Sequence, residues 1–200
     1  MSGESAPERK TRVLICEDEG LIALRLQKSL TRLGYEVVGE AANGEEAVAA
    51  AARLKPDAIL MDIRMPKMDG ITATARIMAE RPTAIVMITA YSERELVDAA
   101  IQAGASGYLV KPVSDDQIQP ALQVAIGRFG ELSDLRGELS DMKQALEARK
   151  LVERAKGILM RRFQLQEDEA YRRLQKMSRD RRQPLKDTAE QVIAAAELLG

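Results

Sequence analysis

Four apolar runs in the first 112 residues each end on a polar side chain, and this alternation restricts the fold more than any other feature. Val13-Leu14-Ile15-Cys16 leads into Glu17-Asp18-Glu19, and Ala58-Ile59-Leu60-Met61 into Asp62. Ala84-Ile85-Val86-Met87-Ile88 leads into Thr89, and Gly107-Tyr108-Leu109-Val110 into Lys111-Pro112. A further strand is expected near 35–40. Helical patterns fall near 20–33, 45–54, 71–80, 93–103 and from about 116, with Gly34, Gly104 and Gly107 where helices end or turns begin. Strands that alternate with helices predict an α/β fold, a doubly wound five-stranded parallel sheet. No strand pattern follows residue 111, so the remainder is expected to be helical.

In such a sheet the strand tips of one edge open on a common crevice. Carboxylates, a hydroxyl and an ammonium therefore converge there. Clustered carboxylates repel one another and favour a hard divalent cation; Mg2+ in particular binds through one or two carboxylates together with phosphate and water. With its charge screened in this way, Asp62 can act as a carboxylate nucleophile and form an acyl phosphate. Lys111 supplies a point charge for phosphoryl oxygens, and Thr89 a hydroxyl donor.

Several chemistries are excluded by composition. The chain has no histidine, so a Ser-His-Asp triad, His-ligated zinc and a phosphohistidine of its own are ruled out. A phosphoryl donor must then come from elsewhere, as a partner kinase or a small phosphate ester. The single cysteine, Cys16, excludes an internal disulfide and reads as a small buried hydrophobe of the first strand. No apolar run approaches a membrane span and the first residues lack the apolar core of a signal peptide, so a cytoplasmic protein without membrane association is expected.

The 200 residues divide into residues 1–10 as a flexible N-terminus, 11–125 as the sheet domain, 126–147 as a linker helix and 148–200 as a three-helix bundle. Leu132, Leu139 and Leu146 recur at heptad spacing, with Leu135 and Met142 between them. Such a seam predicts a short coiled coil. Gly127, Gly130 and Gly137 weaken an isolated helix there, so a partner strand from a second copy is the expected support. The bundle is expected to bury Leu151, Val152, Ala155, Leu159 and Phe163, then Ala170, Leu174 and Met177, then Leu185, Ala189, Val192, Ile193 and Ala196.

Charge is distributed unevenly. Residues 126–200 carry 16 Lys and Arg against 13 Asp and Glu, whereas residues 1–125 carry 14 against 18. Between 149 and 188 the ratio is 13 to 6, which marks a phosphate-binding surface. The candidate nucleic-acid contacts are Arg149, Lys150, Arg154, Lys156, Gly157, Arg161, Arg162, Arg179, Arg181, Arg182 and Lys186, within a basic set that also holds Arg172, Arg173 and Lys176. Gly157 costs helix stability and so marks the close approach of another backbone or of a nucleic acid. Neither expected inter-helix connection contains glycine, which argues against a tight helix-turn-helix. Phe163 and Tyr171 are the only aromatics of the bundle, too few for an extended stacking platform. On these grounds alone, RNA and DNA remain open.

Residues from about 11 to 125 resemble the receiver domain of response regulators. The resemblance is carried by Glu17-Asp18, Met61-Asp62 with Met65-Pro66 and Asp69-Gly70, Thr89-Ala90, and Tyr108 ahead of Lys111-Pro112. It implies a flavodoxin-like fold and Asp62 as phospho-acceptor. It also implies Glu17, Asp18, Asp62 and the backbone carbonyl of Arg64 around Mg2+, Thr89 and Tyr108 as a switch pair, and a cognate histidine kinase as donor. Residues from about 144 to 199, with Arg149-Lys150-Leu151-Val152-Glu153-Arg154-Ala155-Lys156-Gly157-Ile158-Leu159-Met160, Glu169-Ala170-Tyr171 and Leu185-Lys186-Asp187-Thr188-Ala189, resemble an ANTAR domain. The chain as a whole is similar to actinobacterial receiver-ANTAR regulators. That family implies a homodimer formed on phosphorylation, binding to paired RNA hairpins and transcription antitermination. The rival classes are a DNA-binding response regulator and a protein-binding adaptor of a phosphorelay. No second acid-base set appears in the tail, so no enzymatic activity beyond phosphorylation of its own Asp is expected.

Overall fold

The computed structural model describes residues 9–90 and 94–198; the expectation of a flexible N-terminus falls for residues 1–8 outside the described residues, as do the helix start at 93 and the last two residues of the bundle. The chain divides into two compact units, Met1–Ser133 and Asp134–Gly200.

The first unit is built from β1 (Arg12–Cys16), α1 (Gly20–Arg32), β2 (Glu36–Ala41), α2 (Gly44–Leu54), β3 (Ala58–Asp62), α3 (Gly70–Glu80), β4 (Ala84–Thr89), α4 (Arg94–Gln102), β5 (Gly107–Val110) and the start of α5 (Asp115–Phe163). The five strands are parallel in the order β2-β1-β3-β4-β5. The doubly wound sheet expected from the sequence is what forms. Strand side chains alternate between two cores. Val13, Ile15, Leu60 and Val86 pack with Ala23, Leu26 and Leu30 of α1 and with Ile118, Leu122 and Ala125 of α5. Leu14, Cys16, Ile59, Met61, Ile85 and Met87 pack on the other face with Ala47, Ala50 and Ala51 of α2 and Ala73 and Ile77 of α3. Burial on both faces explains why these strands read as unbroken apolar runs.

Helix ends follow local chemistry. Asn43 accepts from the Glu46 backbone N–H at 3.0 Å while Glu46 accepts from Ala42 N–H at 3.1 Å, a capping arrangement at the start of α2. Gly34 and Gly104 adopt positive φ where α1 and α4 end, as the sequence requires.

The second unit comprises the remainder of α5, α6 (Glu167–Arg181) and α7 (Leu185–Leu198). Ala155, Leu159, Ala170, Leu174, Ala189, Val192 and Ile193 form its buried core. α5 runs without a break through position 148 and through Pro120 in its second turn. Glu147-Ala148-Arg149-Lys150 are all good helix formers, so nothing there stops it. Every residue from 131 to 147 is exposed, including Leu132, Leu135, Leu139, Met142 and Leu146. The helix connections use Gln164 and Arg182 in the left-handed region at φ 50 and 53, positions that usually favour glycine. Among the described residues no helix is long and apolar enough to cross a membrane.

Two expectations are corrected. Phe163 is not part of the buried stripe; it is 44% exposed. A Cβ on Gly157 would meet, among the described residues, only Arg161 Nη1 at 3.8 Å, so no neighbouring element's described backbone crowds that position.

Candidate functional site

The strand order reverses direction at β1 and β3, the switch point where open α/β sheets place their ligand crevice. Glu17 and Asp18 follow β1 directly and Asp62 ends β3, so the reversal itself brings the acids together. Each of the three offers a carboxylate oxygen, and these atoms lie within 4.8 Å of one another. Asp62 is only 5% exposed and Glu17 is buried as deeply, while Asp18 faces solvent.

Lys111, just past β5, reaches into this cluster. Its Nζ lies 3.2 Å from Asp62 Oδ2 and 2.8 Å from Glu17 Oε2, and it donates to Glu17 Oε1 at 3.0 Å. Asp62 Oδ1 accepts from Ile63 N–H at 2.9 Å. Thr89 is buried at the tip of β4, one residue beyond the β-ladder partner of Asp62, and its carbonyl accepts from Lys111 N–H at 2.8 Å. Arg64 stands in the loop after Asp62 with its side chain exposed. Tyr108, in β5 beside Met87, is 47% exposed.

Burial pushes the carboxyls of Asp62 and Glu17 above the usual carboxylate range; Lys111 opposes the shift in both, and Asp18 adds to it at Asp62. For Lys111, burial alone would lower its affinity for a proton, but the Glu17 hydrogen bond and the two carboxylates outweigh that and raise it. Glu17 Oε2 is buried, and its partner among the described residues is the Lys111 ammonium at 2.8 Å. Three carboxylates against one ammonium form a donor set that fits a hard divalent cation.

Glycine makes this geometry possible at one point. A Cβ on Gly70 would sit 1.9 Å from the Asp62 carbonyl oxygen, and Gly70 N–H donates to Ile63 O at 2.8 Å. Asp69 caps α3 by accepting from Thr72 N–H at 2.8 Å.

Residues 13–123 match the family described as response regulator receiver domain, and residues 140–193 the ANTAR domain. Over 182 residues the chain is 47% identical to the transcriptional regulatory protein PdtaR of Mycobacterium tuberculosis, covering 91% of this chain and 89% of that protein. It belongs to the receiver-ANTAR response regulators. Such a protein is a two-component response regulator whose output is an RNA-binding ANTAR domain acting in antitermination. The receiver alone is 44% identical to the chemotaxis protein CheY of Thermotoga maritima over 112 residues, 56% of this chain and 93% of that one. Among solved structures, the receiver domain of a sensor histidine kinase from Pseudomonas aeruginosa, described with a magnesium ion coordinated in its active-site cleft, superposes with a TM-score of 0.55. It shares 35% identity and covers 60% of this chain and 99% of that one.

The ANTAR domain distributes the candidate nucleic-acid contacts unevenly. Arg149, Arg161, Arg162, Arg179, Arg181 and Arg182 are exposed. Lys150 pairs with Glu147 at 2.9 Å, Arg154 with Glu197 at 2.7 Å, and Lys186 approaches Glu190 at 4.0 Å. Lys156 stands apart, being only 7% exposed. Its Nζ donates to both Glu153 oxygens at 3.0 Å and to Glu167 Oε1 at 2.6 Å, 5.9 Å from the Tyr171 ring centroid. The hydrogen bond to Glu167 raises the Lys156 pKa and lowers that of Glu167. Lys156 thus ties α6 to α5. Its burial was not legible from a basic run, although Glu153 three residues earlier was a local signal.

Proposed function

We propose that Asp62 takes up a phosphoryl group from a cognate histidine kinase in the presence of Mg2+, and that this drives homodimerisation along α5 and RNA-hairpin binding by two ANTAR domains. The observation that carries the reading is the Glu17, Asp18, Asp62 and Lys111 cluster in one chain with an ANTAR domain. The Asp62 carboxylate attacks phosphorus, the P–N bond to the donor histidine breaks, and the imidazole leaves with the electron pair and takes up a proton. Glu17, Asp18, Asp62 and the Arg64 carbonyl would hold Mg2+, whose charge would offset that of three carboxylates and a phosphoryl group. The magnesium described for the Pseudomonas receiver supports this assignment. Lys111 already holds the acceptor and is placed to bind a phosphoryl oxygen; Thr89 is drawn toward the new group and Tyr108 turns inward.

The exposed Leu132, Leu135, Leu139, Met142 and Leu146 are the surface on which a second copy packs. A phosphoryl group that favours the dimer-competent form by about 1 to 3 kcal/mol changes its occupancy roughly 5- to 150-fold. Leu139→Lys is expected to weaken the phosphorylated dimer by about 2 kcal/mol, because it buries an ammonium in the seam. Sedimentation of phosphorylated protein checks this, and an unchanged dimer would place the interface elsewhere.

The RNA assignment has its own test. The phosphorylated full-length chain should bind a paired-hairpin RNA more tightly than a DNA duplex of matched length, since loop bases are open to side chains. Log affinity should fall linearly with log salt, by about 0.7 to 0.9 for each phosphate neutralised. Preference for duplex DNA at the same salt would make the protein a DNA-binding regulator, and binding to neither an adaptor.

A further inference from the structure

The ANTAR unit carries two grooves of different electrostatic character. One holds Arg149, Lys156 and Lys186 together with Glu153, Glu167 and Asp168, so its cations meet an equal number of acids. The other, of about 330 Å3, is formed by residues of α5, α6 and α7. Its apolar lining is Ile158, Leu159, Met177, Val192, Ala195 and Ala196, of which the buried Leu159 and Val192 make the floor. Its charged lining residues are Arg162 and Arg181, and no acid lines it among the described residues. An apolar floor under cations alone suits a flat ring carried on a phosphate chain better than it suits a bare phosphate.

Phe163 lines this groove, exposed, with the Arg173 guanidinium 3.9 Å above its ring centroid. Arg181 donates to Gln191 Oε1, and Gln191 Nε2 donates to Gln183 Oε1 at 2.9 Å. The Gln191 amide thus has a side-chain partner on each of its two polar atoms. One aromatic ring, an amide and two arginines are the side-chain types that grip a single unstacked base.

Resting on the RNA-binding reading above, we propose that this groove seats one unpaired base of the RNA loop, stacked on Phe163 over the apolar floor. Gln191 and Arg181 face the base edge, and Arg162 faces the phosphates. A single ring suffices for one base, whereas a continuous stacking platform would need several.

The probe is an RNA hairpin selected by the full-length chain from a loop-randomised pool, then made abasic at each loop position in turn. Two variants are compared with wild type: Phe163→Leu, which keeps apolar bulk at an exposed position, and Ala195→Leu, which fills an exposed part of the groove. Each is expected to weaken the selected hairpin about 5- to 150-fold. The salt slope should stay unchanged, because no phosphate contact is lost. Each variant should also erase the penalty of one particular abasic position, a coupling that a general loss of structure does not produce. Wild-type affinity in both variants, or penalties that simply add, overturns the base seat. Altered sedimentation with hairpin binding intact overturns it in favour of a second copy of the chain as the occupant. If the wild-type chain enriches no hairpin, the RNA reading fails and the base seat with it; that result is distinguishable because it does not involve the variants.

Discussion

Asp62→Asn is expected to abolish phosphoryl uptake and, in the absence of divalent cation, to raise the thermal midpoint of the receiver. The first effect follows from the loss of the nucleophilic oxygen at a position that no neighbouring acid can fill: Glu17 is tied to Lys111 on both oxygens, and Asp18 lies out in solvent. The second follows from linkage. Burial holds the Asp62 carboxyl above its ordinary pKa, so the folded chain binds that proton more tightly than the unfolded chain does. Stability therefore falls as pH rises from the ordinary carboxylate value through the raised one, and at neutral pH the ionised side chain is a net cost. Asparagine removes the charge and keeps an oxygen for the Ile63 N–H. Each kcal/mol recovered is worth roughly 2–4 °C in a protein of this size. Intact-mass spectrometry with a small acyl phosphate and Mg2+ measures the first effect, and calorimetry with chelator the second. Equal labelling of the variant, or a lower midpoint, would refute the account.

Gly70→Ala is expected to cost about 3 kcal/mol or more, at the upper end for a single methyl group. The added Cβ would meet Asp62 O at 1.9 Å, Asp62 C at 2.9 Å and Met61 Cγ at 3.0 Å. Two of these are backbone atoms of the central strand and cannot move aside. Relief must come from moving the loop after β3, which carries Ile63 and Arg64, so the rate of phosphorylation should fall together with stability. Gly127→Ala is the control: nothing lies within 4 Å of a Cβ there, and the helix should gain about 1 kcal/mol from the better helix former. Chemical denaturation of both variants settles the contrast, and a Gly70→Ala protein as stable as wild type would mean that the close approach does not exist in solution.

The receiver was legible because its signals are local. A parallel strand buried on both faces must be apolar throughout, and Asp62, Thr89 and Lys111 then fall at strand tips by adjacency in sequence. The ion pairs of Lys111 could be anticipated only through the fold, since Glu17 lies 94 residues away. The ANTAR unit was less legible. Its turns use Gln164 and Arg182 where glycine would have announced a helix end, and the tail of Phe163 reads as one more apolar step at helical spacing although it faces solvent. Lys156 was hidden among surface lysines because its second partner, Glu167, sits in the next helix. The seven-residue repeat of leucines, by contrast, survived intact as an exposed stripe.

The two edges of the sheet bear on how the protein behaves at high concentration. An unpaired strand edge invites pairing with another molecule and so seeds aggregation. Here one edge, β2, turns the charged Glu36 and Glu40 to solvent, and the other, β5, offers only four residues. Neither is long, flat and apolar, the combination that templates cross-strand growth. Protection against edge-to-edge aggregation is thus built into the sheet itself, and the exposed leucine stripe of α5 lies on a helix, which offers no strand edge to template.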